Sequence, residues 1–493
     1  MISQHLIVLI VVIPLIASTL VALVRKPLFA WGLTLAVSLV ELVIASLLLE
    51  QALAQKVISY PIGNWAPPLG IEYRVDAVNA LVVVLITLIG AAVAIYAKES
   101  VEREINEEAR AWYYALYLLC YTGLIGMTVT GDAFNVFVFM EIASLSSYVL
   151  IALGRNRRAL YAAYQYLIMG TIGATFFVLG VGFLYLVTGT LNLADLAARL
   201  PDVSAKGPVY VGFAFITVGL CLKLALFPLH LWLPNAYAFA PSVTTIFLAA
   251  TATKVAIYLL LRFTFTVFGP SAAFHELAFP AIWISLSIAG IFYGSVAAIF
   301  QDNVKRSLAY SSVAQIGYIT LGVGIGSQTG LTGAVVHLFN HGVMKGALFM
   351  LIGTVALRAG AIMMTDLSGL ARRMPLTAIG VTLAGLSLVG VPGTVGFVSK
   401  WYLLLASLER GWWWLAALIV ASSVLSLIYM WRIVEAIYAR PEQQARDAHG
   451  EAPATMLVPA LFMVAACIYF GIDTRLPVSV ATIAAESLLG AAR

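Results

Sequence analysis

The chain has 493 residues, 62% hydrophobic and 10% charged, where soluble domains carry roughly 45–50% apolar and about 25% charged residues. That balance excludes a water-soluble globule. The formal charge of +5, from 28 Lys+Arg against 23 Asp+Glu, calls for no nucleic-acid partner, because membrane proteins concentrate basic residues in cytoplasmic loops.

A bilayer span needs about 20 mostly apolar residues. Fourteen segments qualify: 5–24, 28–53, 77–97, 112–130, 133–153, 161–187, 209–238, 242–262, 280–300, 307–326, 331–357, 376–409, 411–436 and 454–473. The first lacks a basic leading region and is long enough to cross, so it reads as a retained helix and not as a signal peptide. Glu41, in the second, has no polar companions at helical spacing and reads as structural. The charged run from Lys98 to Arg110 reads as a solvated loop, and Asp132 belongs at a membrane surface. The seventh and twelfth segments are overlong and carry Pro228 and Pro392, so each is expected to contain a break.

With the N-terminus outside, sixteen basic residues fall on the cytoplasmic side, among them Arg103, Arg155, Lys305, Arg440 and Arg446. Eight fall opposite, including Arg262 and Arg493. The excess predicts a multi-pass protein of the cell's inner (plasma) membrane with both termini external. Cys120, Cys221 and Cys467 lie far apart in apolar stretches. Neither a disulfide framework nor a protein-ligated metal, haem or iron–sulfur cofactor is expected from such spacing.

Four basic residues remain inside spans: Lys223, Lys254, Lys345 and Lys400. A charge at the bilayer centre costs at least ~2.5–3.5 kcal/mol, so such residues face a protein interior or hydrated cavity and mark ion or proton pathways. All four are lysine, which can release its proton, where arginine stays charged. Glu141 is the clearest carboxylate partner, and Ser144 and Tyr148 share its helical face. A buried ion pair that only fixes packing is the plain alternative. In the eleventh span His337, His341 and Lys345 recur at steps of four, with Asn340 beside them. Histidine titrates near neutrality, so the stripe reads as a proton relay. Its HxxxH spacing also suits a metal or haem, or passive packing, but no second intramembrane histidine pair or nearby carboxylate supports a metal. Thr251, three residues before Lys254, is placed to share its face.

Lys223 precedes its proline and Lys400 follows its own, an opposite order that suggests inverted repeats with ion sites at broken helices. The predicted organisation is 1–111 for helices 1–3, 112–262 for a first five-helix translocation unit, 280–436 for a second, and 454–493 for helix 14 and the tail. The fold class is an all-α polytopic membrane protein of about fourteen transmembrane helices.

These residues resemble a known family. The runs LKLALFPLHLWLPN (Leu222 to Asn235), TKVAIY (Thr253 to Tyr258), DNVKRSLAYSS (Asp302 to Ser312) and GTVGFVSK (Gly393 to Lys400), with Met140 and Glu141, are similar to the antiporter-like subunits. That family is shared by Mrp-type multisubunit cation/proton antiporters, the membrane arm of respiratory complex I and membrane-bound hydrogenases. The external segment from Gly63 through Trp65 and Gly70 to Asp76 is similar as well. The resemblance implies a fourteen-helix fold with inverted five-helix repeats and a central proton axis. Glu141 would pair with Lys223, Lys254 would be the central lysine, His341 and Lys345 would belong to the relay, and Lys400 would be the terminal site. Asn235 and Tyr237 stand where the family often has Asp and His, so roles assigned there do not carry over. Length and the segments at 146–154 and 186–195 look most like the D-type subunits of the Mrp antiporters. The implied function is proton movement coupled to Na+ or K+, alongside other membrane subunits. The alternative is a proton-pumping subunit of a redox-driven complex, and a non-transporting scaffold is the weaker one. No nucleophile, phosphate loop or cofactor motif suggests an enzyme.

Overall fold

The computed structural model describes residues 2–270, 279–359, 362–438 and 450–490. Arg440, Arg446 and Arg493 of the charge tally lie outside the described residues. Helices α1 (Ile2–Val24) and α2 (Pro27–Gln55) lead into a hairpin of β1 (Val57–Pro61) and β2 (Glu72–Asp76), antiparallel with Val57 opposite Asp76. Then follow α3 (Ala77–Glu104), α4 (Arg110–Val129), α5 (Ala133–Ala152), α6 (Arg157–Thr188) and the short α7 (Leu193–Arg199). The middle of the chain forms α8 (Lys206–Leu224), α9 (Trp232–Phe239), α10 (Ser242–Ala250) and α11 (Ala252–Leu261), which continues as a π-helical turn over Arg262–Val267. The second half comprises α12 (Phe279–Ile299), α13 (Val304–Ile325), α14 (Gln328–Ala359), α15 (Leu370–Arg373), α16 (Pro375–Val389), α17 (Val395–Glu409), α18 (Trp413–Tyr438), α19 (Ala454–Ile472) and α20 (Arg475–Gly490).

Among the described residues, thirteen helices are long and apolar enough to cross a membrane. The twelfth predicted span, split into α16 and α17 of 15 residues each, brings the crossings to the fourteen read from sequence. Local chemistry fixes the boundaries. Asp76 caps α3, accepting from the Val78 and Asn79 amides, while the Asn79 side chain accepts from the Asp76 amide, so orphan donors at the helix start are satisfied. Asp132 caps α5 by accepting from the Asn135 amide at 2.7 Å. Asn156, Asn192 and Asn303 cap α6, α7 and α13.

The breaks predicted at Pro228 and Pro392 fall between α8 and α9 and between α16 and α17. A third break, at Thr251 between α10 and α11, carries no Pro or Gly and was not expected. α14 is the hub: the window that could cross a membrane is wholly buried, packed among α3, α10, α13, α16, α17, α19 and α20. The perimeter helices turn Val43, Leu179, Ile282, Val420 and Val458 outward, each more than 40% exposed, an apolar surface suited to lipid.

Two basic residues assigned to loops are buried instead. Arg262 is 8% exposed and forms a 2.8 Å ion pair with Asp76. Lys305 is 7% exposed and donates to the Ser242 hydroxyl at 2.8 Å. Both sit at helix ends, where a loop assignment and a buried charge look alike in sequence. The hairpin, α7 and α20 were not foreseen either. α20 buries Val480, Ala481, Ala484 and Leu488 against its neighbours, a face too polar overall to register as a span.

Candidate functional site

The site is built where helices stop inside the bundle. α8 ends at Leu224, and Ala225 takes a left-handed conformation, φ 60°. The freed chain is pinned by the Trp232 indole, which donates to the Leu222 carbonyl at 2.9 Å and stacks on Tyr166 with centroids 3.8 Å apart. Lys223 therefore lies in the last turn of α8, 8% exposed, and its Nζ donates to Ser144 Oγ at 2.6 Å. Glu141 is one turn away on α5, within electrostatic reach of Lys223. Among the described residues no ion pair joins them, and Glu141 Oε1 is buried without a hydrogen-bond partner. The first contact of Lys223 is thus the serine that shares Glu141's face. A cavity of about 30 Å³ lies against Lys223, Ser144 and Ser147 and reaches Ala252 and Ala256 of α11. That is room for a water with polar partners.

Lys254 is fully buried in the first turn of α11. Because the helix restarts at Thr251, its Nζ turns back to donate to the Ala249 carbonyl at the end of α10, and to Thr253 Oγ1 at 3.3 Å. The expected companion, Thr251, instead donates to the Phe247 carbonyl at 2.6 Å. The break re-aims the face that an unbroken helix would have given them. Lys254 lies within electrostatic reach of His337, His341 and Lys345.

The histidine stripe lines α14. Lys345 donates to Ser311 Oγ at 2.5 Å and to the Leu308 carbonyl at 2.7 Å. The His341 and His337 rings stack with centroids 6.1 Å apart, and both nitrogens of His341 lack partners. His337 Nδ1 bonds Ser399 Oγ at 2.7 Å, and Nε2 bonds Gln315 Oε1 at 2.9 Å. With both its nitrogens engaged, His337 is not offered to a shared ligand with His341. One residue beyond Ser399, Lys400 donates to the Val389 carbonyl at 2.8 Å and Ser423 Oγ at 3.2 Å, and lies 4.8 Å from the Tyr318 ring centroid.

The structure thus brings the second-half residues His337, His341, Lys345 and Lys400 into one buried line, with Lys254 beside it, and sets Lys223 against a small cavity that reaches Ala252 and Ala256 on the helix of Lys254. Sequence reasoning missed Ser311, Gln315, Ser399, Tyr318 and Ser423 as partners. The spacing Ser311, Gln315, Tyr318 on α13 repeats at four and three residues, the one signal that could have revealed a polar stripe facing α14. It also gave no role to His230, which is 2% exposed with both ring nitrogens unpartnered, packed on Phe227 and Tyr293. Glu41 is fully buried, its carboxylate oxygens unpartnered.

Comparison with known proteins places these features in context. The family described as NADH:quinone oxidoreductase/Mrp antiporter, TM, matches residues 130–426, a stretch that contains all seven candidate residues. The NADH-quinone oxidoreductase subunit N of Desulforudis audaxviator is 41% identical over 486 residues, covering 95% of this chain and 96% of the relative. The D-type subunit of the Na(+)/H(+) antiporter of Bacillus subtilis is 30% identical over 489 residues, covering 99% and 97%. A chain of the Mrp complex from Dietzia sp. superposes with a TM-score of 0.89 at 27% identity, over 99% of this chain and 98% of that one.

Proposed function

Because the chain belongs to the NADH:quinone oxidoreductase/Mrp antiporter family, we propose that it is a proton-translocating membrane subunit of a multisubunit cation/proton antiporter, similar to the D-type subunits. The observation that carries this reading is the row of four buried amines, Lys223, Lys254, Lys345 and Lys400. Each is held by hydroxyls or carbonyls, and among the described residues none has a carboxylate within ion-pair distance. Four ammonium groups inside one membrane protein, of which only Lys223 has a carboxylate, Glu141, within electrostatic reach, would cost several kcal/mol each. Such a row is held at low cost only if its members exchange protons with neighbours and water, and lysines do so readily.

In the proposed route a proton enters at Glu141 and Lys223, crosses the small cavity to Lys254, passes along Lys345, His341 and His337, and leaves near Lys400. Lys223 alternates between Ser144 and the nearby Glu141. The residue roles, the inverted repeats over 112–262 and 280–436, the flanking units 1–111 and 454–493, the plasma membrane and the external termini all belong to this reading. So does the absence of an enzymatic step in this chain. Partner subunits would supply the cation pathway for Na+ or K+, and any redox chemistry.

The 41% identity to an NADH-quinone oxidoreductase subunit favours a second reading, a proton pump driven by electron transfer. Both are tested in everted vesicles of an antiporter-deficient host carrying the native gene cluster. Cation-driven dequenching of a pH dye that disappears in Lys223→Met, with assembly intact, supports antiport through this chain. Proton pumping on donor oxidation without a cation response supports the redox reading. If assembled Lys223→Met and Lys400→Met complexes keep full transport in both assays, the chain is a scaffold.

A further inference from the structure

At the end of the bundle where α3 stops and α13 starts, a cavity of about 700 Å³ opens between the two halves of the chain. Its size falls within the ~300–1,000 Å³ typical of small-molecule sites. Five cationic side chains line it, Arg103, Arg155, Arg158, Lys305 and Arg358, against a single acid, Glu104. Glu104 is already engaged: one oxygen accepts from Ser100 Oγ at 2.7 Å and the other from the Ser242 amide at 2.8 Å. Among the described residues, none of the five cations forms an ion pair within 4 Å. Lys305, in the buried floor, donates only to the Ser242 hydroxyl.

The backbone adds to the same sign. α6 and α13 begin at the wall, with Asn156 and Asn303, their N-caps, in the lining, and N-terminal helix ends carry partial positive charge. Glu104 offsets the nearby Lys305 and Arg358 donates to the Glu451 carbonyl at 2.6 Å, which leaves Arg103, Arg155 and Arg158 as the excess; such a cavity attracts anions, and arginine clusters match phosphate by bidentate hydrogen bonding. The rim is not uniformly polar. Phe239, beneath the Arg158 guanidinium at 5.7 Å, and Met363, 40% exposed, give it an apolar side. Basic pockets between transmembrane helices with this mixed lining suit acidic lipid headgroups.

We propose that this vestibule binds a phosphate-bearing anion, with the headgroup of an acidic phospholipid as the source its apolar rim favours. The site stands whichever ion crosses the chain. Arg103, Arg155 and Arg158 grip the phosphate, Lys305 sets the positive floor, and the occupant neutralises a mouth that would otherwise repel cations.

The test is native mass spectrometry of the full chain in neutral detergent with phosphatidylglycerol or phosphatidylcholine, and calorimetry with inorganic phosphate. Wild type retains phosphatidylglycerol over phosphatidylcholine by at least about tenfold, a difference of ~1.4 kcal/mol. Arg103→Gln/Arg155→Gln/Arg158→Gln loses that preference with unchanged thermal unfolding. Arg475→Gln, a charge at a distant helix start that is 90% exposed, keeps it. One-to-one binding of inorganic phosphate that the triple variant abolishes, without lipid preference, assigns the site to free phosphate. Equal retention of both lipids with no phosphate binding, or a triple variant that behaves as wild type, overturns the proposal.

Discussion

The ion pair between Asp76 and Arg262 offers the sharpest test of how this fold is held. Its partners are 8% and 9% exposed and 2.8 Å apart, and they tie the start of α3 to the π turn two helical turns beyond Lys254. Asp76→Ala strands a buried guanidinium, a loss of about 3–5 kcal/mol. It also removes a helix cap, worth about 1 kcal/mol. A cavity of about 220 Å³ beside Arg262 admits water and puts the first contribution at its low end, so the expected cost is about 4 kcal/mol. Asp76→Asn/Arg262→Met keeps a cap and leaves no orphan charge, so it should lie within about 2 kcal/mol of wild type. Unfolding in mixed micelles by sodium dodecyl sulfate titration measures both. Burial works against the Asp76 carboxylate, but Arg262 and the Asn79 and Val78 amides outweigh it and hold its carboxyl below the usual range. A lowered folded-state value means that the contribution is complete above the unfolded value, about 3.9, and lost as pH falls through the folded one. Stability from this pair is therefore flat from about pH 5 upward. If the single and double variants lose the same stability, or Asp76→Ala costs under about 1 kcal/mol, the pair is not the anchor described.

Two further substitutions probe the axis. Ser144→Ala removes the hydroxyl that accepts from Lys223; a charged hydrogen bond worth ~1.5–3 kcal/mol predicts roughly tenfold slower proton movement with normal assembly, and Ser144→Thr should restore it. Gly396→Ala would drive a methyl carbon into the Ser387 carbonyl oxygen; the backbone of α16 must move, so a loss of about 3 kcal/mol, the upper end of the usual overpacking range, is expected, and wild-type unfolding behaviour would show that the two fragments are not in such close contact.

The span count was legible because apolar runs of bilayer length leave little choice of structure. Two breaks were legible because a proline fell within a segment too long for one crossing; proline alone does not decide it, since Pro14 and Pro459 lie inside the unbroken α1 and α19. The break at Thr251 was hidden, since neither it nor its neighbours is a helix breaker, and tertiary packing alone decides it. The four lysines announced themselves by cost, whereas their partners did not: a serine such as Ser399 is common in membrane helices, and only the crossing of α14 and α17 gives it His337. Arg262 and Lys305 were misplaced for the converse reason. A charge near a span's end is inexpensive in a loop and tolerable in a paired interior, and sequence spacing does not separate the two.

The opposite order of lysine and break in the two halves resolves into a physical arrangement. Lys223 belongs to the last turn of α8, Lys254 reaches back to the last carbonyls of α10, and Lys400 reaches back from α17 to the last carbonyls of α16. Lys254 and Lys400 therefore place their amines on the C-terminal carbonyls of a helix fragment, at the negative end of its dipole, whereas Lys223, in the last turn of α8, places its amine on the Ser144 hydroxyl of α5. A carboxylate counter-ion would hold an ammonium in one state, because separating the pair leaves an uncompensated charge. Carbonyls and hydroxyls also accept from an ammonium, but can be exchanged for water at small cost. Helix breaks thus do two things at once in this chain. They open the backbone to make the acceptors of Lys254 and Lys400, and they leave these two amines free of permanent partners, the condition under which a buried lysine can hand its proton onward.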